Sequence, residues 1–509
     1  MMEILNGLSL GLSVAFSVST LFYCFAGVAV GTLVGVLPGL GGLATIAMLM
    51  PLTYHVAAVD ALVMLSGIYY GAAYGGSTAS ILLNLPGTAN TAVTCLDGYP
   101  MTKQGRAGVA LFMTTIASFV GAFIGLVALV GFAPYLLAAA RSFSSQEYFS
   151  LMVLGLIAAS VLSTSSPLKG LAMVTLGLIL GLVGTDITSG TNRFTFGSLR
   201  LYDGLNLVAL AMGMFGVPEL IANAGRVRSN IVDSKSITWR SMWPTRDDWK
   251  RSTNPMLRGT GIGAVLGALP GTGGLLASFM SYAVEKRLAK DPSRFGNGAI
   301  EGIAGPEAAN NAAIQTAFIP TLTLGIPGDA VMALMMAAMI IQGIVPGPGL
   351  MTQQPDLFWG VCVSFLIGNI MLLILNIPLI GVWVKILAVP YWMLFPAVVI
   401  FICVGVYSIN YSTFDVFWVM IFGFLGYLLA VLRFEVAPLL LGFILGPLME
   451  EHLRRSMLLS RGSFSTFVER PISASFLAAA ALILLWLAYA SLRGRARARA
   501  AKQHAALSE

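Results

Sequence analysis

Charged side chains are scarce in this sequence. Only 10% of its 509 residues are Asp, Glu, Lys or Arg, whereas 57% are hydrophobic, and the mean hydropathy is +0.85. A soluble domain carries about 25% charged residues, so this composition excludes a water-soluble globular fold. Long apolar stretches recur along the chain, and we expect roughly ten to twelve segments that span a lipid bilayer.

Cysteine, histidine and enzyme motifs are also rare. The four Cys have no C-x-x-C spacing and the three His are dispersed, which predicts no metal site or disulfide framework. H-E-x-x-H and the P-loop pattern are absent, and the single G-x-S-x-G match, residues 7–11, begins an apolar helix instead of lying at a strand-to-helix turn. We therefore expect neither an enzyme nor an ATP-driven protein, and no cofactor.

An internal duplication is the strongest pattern that the sequence contains. The segments GVAVGTLVGVLPGLGG, residues 27–42, and GTGIGAVLGALPGTGG, residues 259–274, share one pattern at a constant offset (259 − 27 = 232). Glycines four apart allow close helix packing, and the Pro-Gly pair interrupts a helix. Interrupted helices at corresponding positions of two halves indicate the binding site of a secondary transporter. The alternative is that these glycines serve helix packing alone.

The basic residues predict opposite topology for the two halves. Residues 53–60 after the first motif lack Lys and Arg, whereas residues 285–294 after the second are strongly basic. The net charge of +7 thus indicates membrane topology and no nucleic-acid partner. We predict an all-α polytopic membrane protein with two inverted-topology repeats and re-entrant or broken helices.

The predicted organisation has four parts. They are a first transmembrane repeat (1–222), a basic cytoplasmic linker (223–258), a second transmembrane repeat (259–449), and a C-terminal loop, last transmembrane helix and basic tail (450–509).

A second break follows in each half, at Leu85-Pro86-Gly87 and at Ile326-Pro327-Gly328. Thr88 and Asp329 can cap the half-helices that follow. Broken helices survive in a membrane only where protein, water or a ligand satisfies the freed backbone groups, and polar side chains concentrate beside these breaks. Hydrogen bonding between helices is the alternative explanation for those side chains. The candidate substrate- and ion-binding residues are Pro38, Gly39, Gly41, Gly42, Ser77, Thr78, Asn84, Pro86, Gly87, Thr88, Asn90, Pro270, Gly271, Thr272, Gly273, Gly274, Asn310, Asn311, Gln315, Thr323, Pro327, Gly328 and Asp329.

No Lys or Arg lies within any of the four breaks. An anionic substrate would then be held by helix N-termini, polar side chains and co-bound cations, which predicts coupling to Na⁺ or H⁺. Asp329 is the favoured ion ligand, although it can also be a plain helix cap. Glu307 has a possible coupling role, and Glu301 is expected to be solvated beside the basic loop.

Three motifs carry a family resemblance: the duplicated G-x-L-P-G-x-G-G, the stretch YGAAYGGSTASILLNLPGTANTAVTCLDGYPM at residues 70–101, and GPEAANNAA followed by LGIPGDAV. Together they resemble the large membrane subunit of the tripartite tricarboxylate transporters, the TctA type. The resemblance carries the family's site onto the Pro and Gly residues of the four breaks and onto Asn84, Thr88, Asn90 and Asp329.

The resemblance implies a multi-pass secondary carrier of the bacterial inner (cytoplasmic) membrane. Such a carrier takes up citrate or another carboxylate under a cation gradient, by alternating access. It works with a small membrane subunit of about four spans and with a periplasmic solute-binding protein. A stand-alone carrier or channel for a small anion, which needs no binding protein, stays open as the alternative.

Overall fold

The computed structural model describes residues 2–37, 41–140, 142–161, 166–186, 189–224, 239–269, 273–387 and 391–506. In this part of the chain the regular structure is helical, with short 3₁₀ segments and one π-helical turn (Met212–Gly216) among the α-helices, apart from the antiparallel two-residue strands β1 (Gly184–Thr185) and β2 (Asn192–Arg193). The helices are α1 (Met2–Ala15), α2 (Val18–Val36), α3 (Gly42–Leu49), α4 (Ala58–Leu83), α5 (Thr94–Lys103), α6 (Ala107–Ala140), α7 (Ser145–Val161), α8 (Pro167–Gly181), α9 (Leu207–Ala211), α10 (Val217–Ala224), α11 (Arg246–Gly267), α12 (Gly273–Leu288), α13 (Glu301–Leu324), α14 (Ala330–Ile341), α15 (Leu350–Gln353), α16 (Pro355–Asn376), α17 (Ile380–Ile386), α18 (Tyr391–Asn410), α19 (Thr413–Val431), α20 (Ala437–Leu459), α21 (Thr466–Glu469) and α22 (Pro471–Ala506).

Four helical segments are long and apolar enough to cross a membrane. By length and composition these are Val18–Val36, Ala107–Tyr135, Pro355–Asn376 and Thr413–Val431, all within the described residues. Shorter apolar helices accompany them. The architecture agrees with the predicted all-α membrane protein. The larger number of spans expected from the sequence stays a prediction.

The chain forms two compact units. The first comprises Met1–Arg141 and Leu205–Leu432, and the second comprises Ser142–Gly204 and Arg433–Glu509. In the second unit, α8 packs on α20 and α7 packs on α22. All four breaks belong to the first unit. The predicted division into repeats, linker and tail stays a prediction.

Ion pairs join distant segments of the second unit. Arg193 pairs with Asp186 and with Glu450, at 2.5 and 2.9 Å, and Arg454 pairs with the same two acids. These contacts fasten the β1–β2 ribbon to α20.

The motif glycines pack one long helix of each half onto the next long helix. Three glycines of α2 face carbonyl oxygens of α4, and their counterparts in α11 face carbonyl oxygens of α13. A Cβ at any of them would overlap the partner backbone, so only glycine permits this approach. The contacting pairs are Gly27–Met64, Gly31–Ile68, Gly35–Ala72, Gly259–Gly305, Gly263–Ala309 and Gly267–Ala313.

The partner residues in α4 and α13 also keep a constant offset (305 − 64 = 241). The duplication is therefore present in the helix contacts as well as in the sequence. The packing role that the sequence left open for the G-x-x-x-G glycines is confirmed for these six positions.

A buried carboxylate holds the loop between α12 and α13. Asp97 of α5 accepts hydrogen bonds through Oδ1 from the backbone N–H groups of Gly296, Gly298 and Ala299, at 2.8–2.9 Å. Its Oδ2 accepts a hydrogen bond from the Tyr282 hydroxyl at 3.0 Å. Asp97 is fully buried. Three of these bonds fasten α5 of the first half to the loop between α12 and α13 of the second, and the fourth fastens α5 to α12.

We expect Gly263→Ala to destabilise the protein and Gly261→Ala, two positions earlier on α11, to leave its stability unchanged or slightly higher. A Cβ at position 263 would overlap the Ala309 backbone, whereas no heavy atom lies within 4 Å of a Cβ at position 261. Overpacking of this kind costs about 1–3 kcal/mol. The check is the unfolding temperature of each purified variant in detergent. Equal effects at both positions would contradict the close approach of α11 and α13.

Candidate substrate and ion site

The second break of each half begins with a residue in the left-handed conformation. Asn84 ends α4 with φ of 56°, and Gly325 ends α13 with φ of 69°. The two positions are counterparts (325 − 84 = 241). Glycine and asparagine are the residues that helix C-termini use in this conformation. The left-handed backbone thus explains why asparagine occurs at position 84. The Asn84 side chain is exposed, and the role of Asn84 as a ligand stays a prediction.

Glycines pack both second breaks against the helices that precede them. A Cβ at Gly87 would overlap Gly76 of α4 and the backbone of Gly35 in α2, and a Cβ at Gly328 would lie 3.1 Å from Ala317 of α13. Gly76 and Ala317 are again counterparts (317 − 76 = 241). Each Pro-Gly turn therefore folds back onto its own long helix.

Asp329 caps the half-helix that follows the second break, as the sequence predicted. The Met332 N–H donates to Asp329 Oδ1 at 2.8 Å, and the Tyr69 hydroxyl of α4 donates to Asp329 Oδ2 at 2.5 Å. In the first half, the Thr88 N–H donates to Thr91 Oγ1 at 3.3 Å. The cap thus joins α14 of one half to α4 of the other, and its role as an ion ligand stays a prediction.

The first breaks place two helix N-termini beside positive-φ glycines. Gly41, before α3, has φ of 44°, and Gly273, at the start of α12, has φ of 59°. The first N–H groups of a helix have no partner within that helix, and anions bind at such ends. Five candidates at the tips themselves lie outside the described residues, namely Pro38, Gly39, Pro270, Gly271 and Thr272.

Polar side chains from three other segments meet the start of α12. A Cβ at Gly274 would contact the Asn310 carboxamide and lie 2.8 Å from Asn90 Nδ2. A Cβ at Gly273 would lie 3.5 Å from Asp329 Cβ. The structure thus brings together Asn90 from the second break of the first half and Asn310 and Asp329 from the second half. Among the other described candidates, Ser77 and Thr78 are on α4, and Asn311, Gln315 and Thr323 are on α13. Gly42 begins α3, and the segments between helices contain Gly41, Asn84, Pro86, Gly87, Thr88, Pro327 and Gly328.

Buried amide groups without protein partners lie along α13. Within the described residues, both polar side-chain atoms of Asn310 and of Gln315, and Oδ1 of Asn311, have no hydrogen-bond partner. The three side chains are at most 1% exposed. Buried polar groups in native proteins nearly always have a partner, so such orphans mark positions that water, an ion or a substrate completes.

Known proteins were compared with the chain. Residues 21–441 match the model of the tripartite tricarboxylate transporter TctA family. The chain belongs to the tripartite tricarboxylate transporter TctA family.

Two relatives of this TctA-family protein come from Agrobacterium vitis. The chain is 53% identical to "Uncharacterized 52.8 kDa protein in TAR-I ttuC' 3'region" over 478 residues, which cover 94% of this chain and 95% of the relative. It is 58% identical to "Uncharacterized protein in TAR-II ttuC' 3'region" over 233 residues, which cover 46% of this chain and 96% of the relative. No solved structure matches the chain.

The TctA family is a transporter family, and its members are generally parts of a tripartite system. Together with the apolar helices, membership makes this protein a multi-pass membrane protein and a transporter subunit.

Two further candidates of the TctA-family protein are bonded within their own helices. The Ser77 hydroxyl donates to the Ala73 carbonyl at 3.2 Å, and the Thr323 hydroxyl donates to the Ile319 carbonyl at 2.6 Å. Thr78 is buried on α4. This local hydrogen bond satisfies the Thr323 hydroxyl, so no ligand is needed to explain a threonine at this position.

The sequence analysis missed Glu219 of α10. A Cβ at Gly41 would lie 2.9 and 3.1 Å from the two carboxylate oxygens of Glu219, so this acid lies beside the residue that precedes α3. A detectable signal was present, because Glu219 is the only charged residue in the apolar stretch 204–225. An acid within a membrane segment is by default a candidate functional residue. An acid thus lies beside the positive-φ glycine of each first break: Glu219 lies beside Gly41, and Asp329 lies beside Gly273.

We expect Asn310→Leu to raise the unfolding temperature of the substrate-free protein and to reduce substrate uptake. The substitution removes two buried polar atoms that lack a protein partner, each of which costs about 1–3 kcal/mol. Asn369→Leu is the matched control, because Asn369 is equally buried but bonded to Phe365 and Tyr74. It should lower the unfolding temperature. A loss of stability in both variants would mean that protein groups satisfy Asn310.

Proposed function

We propose that this protein is the large transmembrane subunit of a binding-protein-dependent tripartite transporter that takes up a carboxylate by cation-coupled secondary transport. Citrate, another tricarboxylate or a related organic acid is the substrate class. The cluster of unpartnered amides on α13 beside the N-terminus of α12 is the observation that carries the proposal. Family membership supports the transporter role.

The chemistry of this cluster suits a carboxylate. The start of α12 offers backbone N–H groups and a positive partial charge, and the side-chain amides of Asn90, Asn310 and Gln315 add neutral donors. Neutral donors bind an anion without the large penalty of a buried basic residue. The other candidates, on the tips and second breaks, complete the proposed site around these groups.

The acids beside Gly41 and Gly273 give a physical reason why cation binding and substrate binding are coupled. Glu219 and Asp329 would repel an incoming carboxylate in a low-dielectric site. A bound Na⁺ or H⁺ removes that repulsion, so cation and substrate each favour the binding of the other. No cofactor is needed for this mechanism.

The internal duplication supports alternating access. The equivalent contacts of α2 with α4 and of α11 with α13 are those of two structural repeats. We propose that the repeats have inverted topology, within the division 1–222 and 259–449, and that the broken helices move relative to the remaining spans. The proposed location is the bacterial inner membrane. The proposed partners are a small membrane subunit and a periplasmic solute-binding protein.

Uptake into proteoliposomes tests this function. The protein would be reconstituted with and without the small subunit and the binding protein, under imposed Na⁺ or H⁺ gradients, and offered radiolabelled citrate, tricarballylate and succinate. We expect gradient-driven accumulation that requires the binding protein. Accumulation by the chain alone would favour a stand-alone anion carrier, and accumulation that ignores both gradients would contradict cation coupling.

We expect Asp329→Asn to reduce gradient-driven uptake by more than about tenfold, since one charge-assisted contact contributes about 1.5–3 kcal/mol. Asparagine also caps helices well, so the substitution removes the charge and keeps the α14 cap. Asp291→Asn is the control, because Asp291 also caps a helical turn through its side chain but lies in the exposed loop after α12. Uptake by this control should equal that of the wild type. Normal uptake by Asp329→Asn would mean that Asp329 serves only as a helix cap.

A further inference from the structure

Glu307 is a buried carboxylate whose side chain is surrounded by hydroxyl groups. It lies on α13 and is 1% exposed. Thr94 at the start of α5 donates to Oε1, and Ser118 of α6 donates to Oε2 at 3.3 Å. The Ser77 hydroxyl of α4, whose own hydrogen bond goes to the Ala73 carbonyl at 3.2 Å, lies near enough to interact with this carboxylate as well. Hydroxyl groups from three other helices therefore surround the Glu307 carboxylate.

No basic residue balances this carboxylate. In the described part of the chain, neither Lys, Arg nor His forms an ion pair with Glu307. The nearby titratable groups are Tyr74 of α4 and Cys95 of α5, and neither supplies positive charge. A buried carboxylate without a counter-charge is expensive, so a mobile cation is the natural way to neutralise it.

The first half of the chain has no acid at the position that corresponds to Glu307. The counterpart of Glu307 in α4 is Ser66 (307 − 241 = 66), which is fully buried and whose hydroxyl has no partner. The repeat packing therefore does not require a carboxylate at this position. Asn310 and Asn311 follow Glu307 within about one turn of α13, so the carboxylate adjoins the proposed substrate site.

We propose that Glu307, Thr94, Ser77 and Ser118 bind the coupling cation of the proposed carboxylate transporter, and that this cation is Na⁺. The inference rests on the proposed function, since it identifies the ion that drives it. Two carboxylate oxygens and three hydroxyl oxygens form a set of hard ligands with one negative charge, which suits a hard monovalent cation. A proton needs only one acceptor, whereas this site assembles five oxygens.

Sodium at this site would join the two halves of the protein. Glu307 belongs to α13, whereas the three hydroxyls belong to α4, α5 and α6. Hydroxyl groups that donate to the carboxylate in the absence of the ion can rotate and present lone pairs to it. A cation that binds only when these helices are together shifts the population toward that conformation.

Binding of ²²Na⁺ to the purified protein tests the site without any need for transport. We expect Glu307→Gln to abolish binding at one site and Glu301→Gln to leave it intact, because Glu301 is on the same helix but pairs with Arg294 at 3.3 Å. Thr94→Val and Ser118→Ala, which keep the charge, should each raise the sodium concentration for half-saturation about tenfold.

Three results would overturn the assignment. Sodium binding by Glu307→Gln equal to that of the wild type would place the ion elsewhere. Unchanged sodium affinity in both hydroxyl variants would do the same, even if Glu307→Gln fails to fold. No sodium binding by the wild type, with uptake driven by a proton gradient and lost in Glu307→Gln, would make the ion a proton.

The proposed function can fail separately from this inference. Wild-type protein that binds ²²Na⁺ through Glu307 but accumulates no carboxylate under any gradient would retain the ion site and reject the transport proposal. Gradient-driven uptake that survives unchanged, with its sodium dependence, in Glu307→Gln would retain the transport proposal and reject the ion site.

Discussion

The fold of the first unit depends on backbone contact between helices at glycine. Where Gly31 of α2 meets Ile68 of α4, and Gly263 of α11 meets Ala309 of α13, no side chain separates the two backbones. Helices in a membrane gain little from the hydrophobic effect when they associate, so van der Waals contact at small residues is a main source of attraction. The same glycines lie on α2 and α11, the helices that precede the first break of each half. The position of the site therefore follows from the packing of the helices that carry it.

The local features of the site could be predicted from the sequence because proline, glycine and capping residues act over a few positions. The cap at Asp329 and the duplicated motif are of this kind, and both are present in the structure. The proximity of Glu219 to Gly41 and of Thr94 to Glu307 could not be predicted, since those contacts join residues far apart in the chain. Side-chain type alone also could not separate Asn310, which lacks a partner, from Asn369, which has two.

The charges of the site are arranged differently from those of its surroundings. Arginine pairs with acid at Arg258–Glu285 and Arg294–Glu301 near the ends of the second-half helices. Within the site, the described acids Glu307 and Asp329 have hydroxyl and backbone donors instead. Such donors stabilise an ionised carboxylate without occupying the place of a cation. The acids of the site are therefore stabilised by neutral donors, whereas those outside it are held in fixed ion pairs.

The carboxylate of Asp97 limits how the two halves can move. Three of its hydrogen bonds fasten α5 of the first half to the loop before α13 in the second half, the fourth fastens it to Tyr282 of α12, and the carboxylate is completely shielded from solvent. Separating these segments would leave the buried Asp97 carboxylate and three backbone N–H groups without hydrogen-bond partners, which is strongly unfavourable. Asp97 thus acts as a common anchor, which constrains α5, the end of α12 and the start of α13 to move together.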